Sequence, residues 1–114
     1  AAYYLGCLFY DKGRWEESKE LWEKCADNIK LPTVYRNLSL VYYNKLKDGV
    51  LALKAMEKAF SIDKSDARIF FELDQLYKTL NFSLEKRLAN MNENSDLLEK
   101  RDDLYTEYIT LLLI

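Results

Sequence analysis

The stretch LGCLFYDKGRWEESKELWEKC, from Leu5 to Cys25, decides the reading of this chain. Leu5, Leu8 and Phe9 fall on one face of a helix that stops at Asp11-Lys12-Gly13, where a glycine can take the left-handed conformation that closes a helix. Trp15 opens a returning helix. Along it Ser18, Leu21, Trp22 and Cys25 recur at steps of three and four, while Glu16, Glu17, Lys19, Glu20, Glu23 and Lys24 take the opposite face. Two short amphipathic helices joined at a glycine make a helical hairpin.

Outward from that stretch the pattern repeats. Pro32 suits a first helical turn, because its missing donor is not needed there, and the helix it opens carries Tyr35, Leu38, Val41 and Tyr42 to a stop near Lys45. Asp48 is placed to cap a helix with a small inner face, Ala52, Ala55 and Ala59, filled between by Met56 and Phe60. Asp63 to Asp66 form a turn, with Ser65 or Asp66 capping a helix that bears Ile69, Phe70, Leu73, Leu76, Tyr77 and Leu80. Ser83 then caps a shorter helix with Leu84, Leu88 and Met91, and Asn90, Asn92 and Asn94 interrupt it with turn-favouring side chains. Leu97 and Leu98 mark one extra helical turn. The last helix begins near Asp102 and carries Leu104, Tyr105, Tyr108, Ile109 and Leu112.

Composition agrees with an all-α chain. Of the 114 residues only three are glycine and one is proline, too few to punctuate β-hairpins, while 49% hydrophobic and 32% charged residues describe a globular protein. A net charge of −2 leaves no excess of Lys and Arg to neutralise phosphates, which argues against nucleic acid or an anionic membrane surface as partner. No apolar run approaches the roughly 20 residues that span a bilayer, and no signal-like segment opens the chain. The start at Ala1 inside a helical pattern, and the unfinished apolar face at Leu111 to Ile114, suggest a piece of a longer chain.

The hairpins align by subtraction. Ala2, Tyr35, Phe70 and Tyr105 correspond, as do Leu5, Leu38, Leu73 and Tyr108, and Phe9, Tyr42, Tyr77 and Leu112; Ser18, Trp22 and Cys25 recur as Ala52, Met56 and Ala59. With Leu5-Gly6 and Phe9 opening the first unit, this resembles the tetratricopeptide repeat, whose unit of about 34 residues has the pattern W-x2-L-G-x2-Y, then A-x3-F, then P. The match weakens after Leu80, where the third return helix lacks the small-residue spacing, and Lys30 and Lys64 stand at the place of the closing proline. The resemblance implies a right-handed superhelical solenoid of antiparallel hairpins in a single domain over residues 1–114. Its units would span about 1–31, 32–65 and 66–101, with the first helix of a fourth at about 102–114. Small residues should let paired helices approach, Gly6 opposite Ser18 and Ser39 opposite Ala52. More loosely, the chain resembles long bacterial arrays of this repeat attached to a domain of uncharacterised function, a carbohydrate-related one among the readings.

Nothing in the sequence spells catalysis. There is no histidine to serve as general base and no phosphate-cradling glycine loop; Asp102-Asp103 and Glu16-Glu17 read as carboxylates complementing helix starts. Cys7 and Cys25, without a CxxC pair, suit neither zinc nor a disulfide framework and are expected as free thiols in a reducing, cytoplasmic compartment. No cofactor or metal is expected. Asn37-Leu38-Ser39 and Asn81-Phe82-Ser83 match the glycosylation sequon by accident.

The function that follows is a protein-interaction scaffold, holding a peptide or partner helix; the rival is a structural array that positions a catalytic domain outside these residues. The resemblance places Tyr3, Cys7, Tyr10, Arg36, Leu40, Tyr43 and Asn44 on the concave wall, followed by Arg68, Phe71, Gln75, Lys78 and Thr79. Tyr3, Tyr10, Tyr43 and Phe71 lie outside the core stripe, where aromatics supply contact area at low entropic cost. Some members of that family hold chaperone C-terminal carboxylates with Lys and Asn in this groove. Cys7 and Leu40 stand where that clamp uses polar residues, so clamp binding is not expected. Self-association is expected through the apolar C-terminal helix, by Tyr108, Leu112, Leu113 and Ile114.

Overall fold

Among residues 2–114, which the computed structural model describes, the chain forms eight helices and no strand; Ala1, the start of the first expected unit, lies outside the described residues. They are α1 (Ala2–Asp11), α2 (Trp15–Ile29), α3 (Pro32–Asn44), α4 (Gly49–Ile62), α5 (Ala67–Thr79), α6 (Leu84–Glu93), α7 (Ser95–Leu98) and α8 (Asp102–Leu112). They divide into two compact units, Ala1–Ile62 and Asp63–Ile114.

Helix ends follow local chemistry. Gly13 takes φ 81°, the left-handed conformation expected between α1 and α2, and Lys30 closes α2 in the same conformation at φ 53°. That places the end of α2 at Ile29. The Asp48 carboxylate accepts from the Leu51 amide at 3.0 Å, Asp66 rather than Ser65 accepts from Ile69 at 3.0 Å, and Ser83 accepts from Lys86 at 3.1 Å.

In the first unit α1 pairs with α2, α3 pairs with α4, and α3 also packs on α2. Trp22, Cys25, Val34, Leu38, Val41, Ala52, Met56 and Ala59 form the buried core. Ser39 donates to the Ala52 carbonyl at 2.7 Å, confirming close approach of α3 and α4. Gly6 lies against Trp22. A Cβ there would stand 2.5 Å from Trp22 Nε1, so the glycine makes room for the indole, which donates to the Tyr3 carbonyl at 3.1 Å. Leu5 and Leu8, expected inside, are 43% and 48% exposed, and Phe9 is half-buried. Leu38, the counterpart of Leu5, is buried because α3 has a helix on both sides, whereas α1 packs chiefly on α2.

In the second unit α5 meets α6, α7 and α8 around Phe70, Leu73, Tyr77, Met91, Leu97, Leu98, Leu104 and Leu111. Leu84 is exposed. On α8 the buried face is Leu104 and Leu111; Tyr105 and Ile109 are exposed, as is Leu112, which was expected on the uncovered terminal face. The unit's centre is ionic: Arg87 and Asp74, both almost wholly buried, make a bidentate pair at 3.0 and 2.7 Å. Arg87 also donates to Glu107 at 2.7 Å.

Candidate functional site

The open surface of the first unit is built by the faces of α1 and α3 that the core does not use. Positions 34, 35, 38, 39 and 41 of α3 are buried, which leaves Asn37 and Leu40, one turn apart, on the other side. The matching face of α1 presents Cys7, Tyr10 and Asp11. Together with Trp22 these residues line a hollow of about 190 Å³.

Its walls are held firmly. The Tyr10 and Trp22 rings lie 5.9 Å apart at 34°, and the indole is fixed by its bond to the Tyr3 carbonyl. Burial pushes the Tyr3 phenol above its usual value and the neighbouring Cys7 adds to that, while a hydrogen bond from Asn37 pulls the other way. Tyr3, Cys7 and Asn37 thus form one connected polar edge. Burial also raises the Cys25 thiol, which donates to the Trp22 carbonyl at 3.6 Å. Both cysteines are free thiols. A protonated, buried Cys25 is a packing residue and a poor nucleophile.

Of the residues assigned from sequence to a concave wall, Cys7, Tyr10 and Leu40 meet at the hollow, with Tyr3 bonded at its edge. Arg36 is half-buried and engaged in an interaction of its own; Tyr43 and Asn44 are exposed further along α3. Asp11 and Asn37 escaped the sequence reading. A spacing of four from Cys7 to Asp11, and of three from Asn37 to Leu40, was the signal that could have found them.

The second unit carries its own candidates on α5. Arg68 and Thr79 are exposed. The Arg101 guanidinium stands 5.6 Å from the Phe71 ring centre, and Lys78 pairs with Glu107 at 3.5 Å. Gln75 Nε2 is buried without a partner in hydrogen-bond geometry, although its amide is near enough to Glu107 to favour the ionised carboxylate. Burial alone would raise Glu107; the Arg87 hydrogen bond and the Lys78 charge override it and hold the carboxyl below the usual range. The face of α5 is therefore partly engaged by residues from Arg101 onward.

Among the described residues, no cluster of three or more His, Cys, Asp or Glu side chains could hold a metal ion, and no helix is long and apolar enough to cross a membrane. No protein-family profile matches the chain. Among solved structures it is similar to the first tetratricopeptide domain of Spaghetti (RPAP3) bound to the HSP90 peptide SRMEEVD. That likeness has 16% sequence identity and a TM-score of 0.72, and covers 98% of this chain and 90% of the other. On that likeness the chain has the tetratricopeptide-repeat fold.

Proposed function

We propose that this chain is a protein-interaction scaffold that seats a peptide or partner helix against the α1 and α3 face of its first unit. The observation that carries this reading is the hollow between Cys7, Tyr10, Trp22, Asn37 and Leu40, a preformed recess whose aromatic wall costs little entropy to present. A peptide bound by a domain of the same fold supports it. Tyr3, Arg36, Tyr43 and Asn44 extend the contact surface along the same two helices, and Arg68, Phe71, Gln75 and Lys78 offer a further face on the second unit. The role is binding rather than catalysis. The chain is read as working in a reducing, cytoplasmic setting.

The test is a peptide library panned against the chain and against Leu40→Arg, which places a long charged side chain at the mouth of the hollow. Binding that is lost in the variant, with the helical circular dichroism spectrum retained, is the expected result. Equal binding by both, or no binding by either, contradicts the reading.

Self-association has an observation of its own. Tyr105, Ile109, Leu112, Leu113 and Ile114 are exposed, an apolar surface of the kind that associating proteins bury. Tyr108 contributes less, since it is half-buried and donates to Asn92 at 2.9 Å. Sedimentation should show a dimer that Ile109→Glu dissociates; a monomer at high concentration opposes it.

A further inference from the structure

The hollow on the first unit has an electrostatic sign. Of the residues that line it, Asp11 alone is charged, and none is basic. Asp11 is the last residue of α1, whose final turn contains no basic side chain, so its carboxylate sits at the negative end of the helix dipole. That placement is unfavourable in itself. No ion-pair or hydrogen-bond partner offsets it among the described residues, unlike Glu17, Glu23 and Asp103, which are all paired.

The other walls point the same way. Tyr10 and Trp22 are aromatic and bring no charge that would repel a cation. Leu40 and Cys7 offer apolar surface suited to a methylene stem. At about 190 Å³ the hollow is well above the ~10–15 Å³ that admits a water molecule, room for a side chain. Arg36, the nearest cation on α3, is not among the lining residues and is otherwise engaged.

We infer that this hollow is a subsite for a cationic side chain on an apolar stem, a lysine of a peptide partner, with its ammonium at Asp11 and its stem between Tyr10, Trp22 and Leu40. The inference rests on the proposed peptide-binding role and sharpens it: the partner segment is basic at this position. An acidic segment such as SRMEEVD would set carboxylates against Asp11, with no cation among the lining residues to receive them.

The experiment uses three capped heptapeptides that differ only at the central residue, which is lysine, norleucine or glutamate, each titrated into the chain while the amide chemical shifts of Asn37 and Leu40 are followed. Norleucine keeps the stem and removes the charge. The lysine peptide should bind about tenfold more tightly than the norleucine peptide, and Asp11→Asn should remove that difference. The lysine preference should also shrink as salt is raised. Equal binding of lysine and norleucine peptides, a lysine preference untouched by Asp11→Asn, or tightest binding by the glutamate peptide overturns the inference and leaves the scaffold reading standing. Failure of all three peptides to move either amide overturns both.

Discussion

The second and third hairpins use the same two positions in opposite ways. Ser39 and Ala52 stand thirteen residues apart in the first unit, joined by a hydroxyl-to-carbonyl hydrogen bond of 2.7 Å that lets α3 and α4 touch. Thirty-five residues further on, the same positions are Asp74 and Arg87, a buried bidentate ion pair. Small side chains bring two helices together by being absent; the Arg87 side chain fills the extra space when they stand apart. It is tolerated in the interior because two carboxylates satisfy it. One unit is thus held by fit, the other by a network that fails if a member is lost.

The largest effect should come from breaking that network. Arg87→Ala leaves Asp74 buried and Glu107 half-buried without their shared cation, and should cost about 3–5 kcal/mol in urea unfolding. Gly6→Ala should cost about 1–3 kcal/mol, because the new Cβ meets an indole that is 2% exposed and has little room to shift. The gain in helix propensity, about 1 kcal/mol, only partly offsets it.

The two units should also fail at opposite ends of the pH scale. In the first, the Tyr35 hydroxyl donates to Asp27 at 2.5 Å, and burial, with that bond and charge, pushes its pKa up to about 12. Tyr42, donating to Glu23 at 2.6 Å, is raised further for the same reasons. A raised folded value means stability that is complete below the unfolded value of about 10 and is lost as pH climbs from there through about 12. In the second unit Glu107 is held low, so its contribution is present above the unfolded value of about 4.3 and disappears as pH falls through the lower folded value. Amide exchange should therefore show α8 loosening first in acid and the α2 to α3 contact loosening first in alkali. Uniform loosening at either extreme would dissolve the distinction.

The smallest effect concerns Ser18, whose hydroxyl is buried without a hydrogen-bond partner where the next hairpin has Ala52. Ser18→Ala should stabilise the chain by about 1 kcal/mol, read as a higher urea midpoint at unchanged slope, because an unsatisfied buried hydroxyl is removed.

These contrasts mark how far the sequence could be read. Helix spans, caps and the spacing between Leu38 and Leu73 follow from periodicity and turn chemistry, which act locally. The exposure of Leu5, Leu8, Tyr105 and Ile109 does not, because a 3.6-residue stripe shows that a face is apolar but not whether a neighbour covers it. Asp74 and Arg87 were invisible for a different reason. Each looks like a solvated charge by itself, and only their place at the small-residue positions, one hairpin on from Ser39 and Ala52, marks them as a pair. At the site, Tyr10 and Leu40 were legible as residues outside the core stripe. Asp11 was hidden because a carboxylate beside a glycine turn reads as surface.

The most direct test is a double-mutant cycle in urea with Asp74→Leu, Arg87→Met and the two combined. A shared-position pair predicts that each single change costs several kcal/mol and that the double variant recovers most of the loss, since an apolar pair of similar volume can replace a buried ion pair. Costs that simply add would contradict it, and would mean that the third hairpin is not built on the positions that close the second.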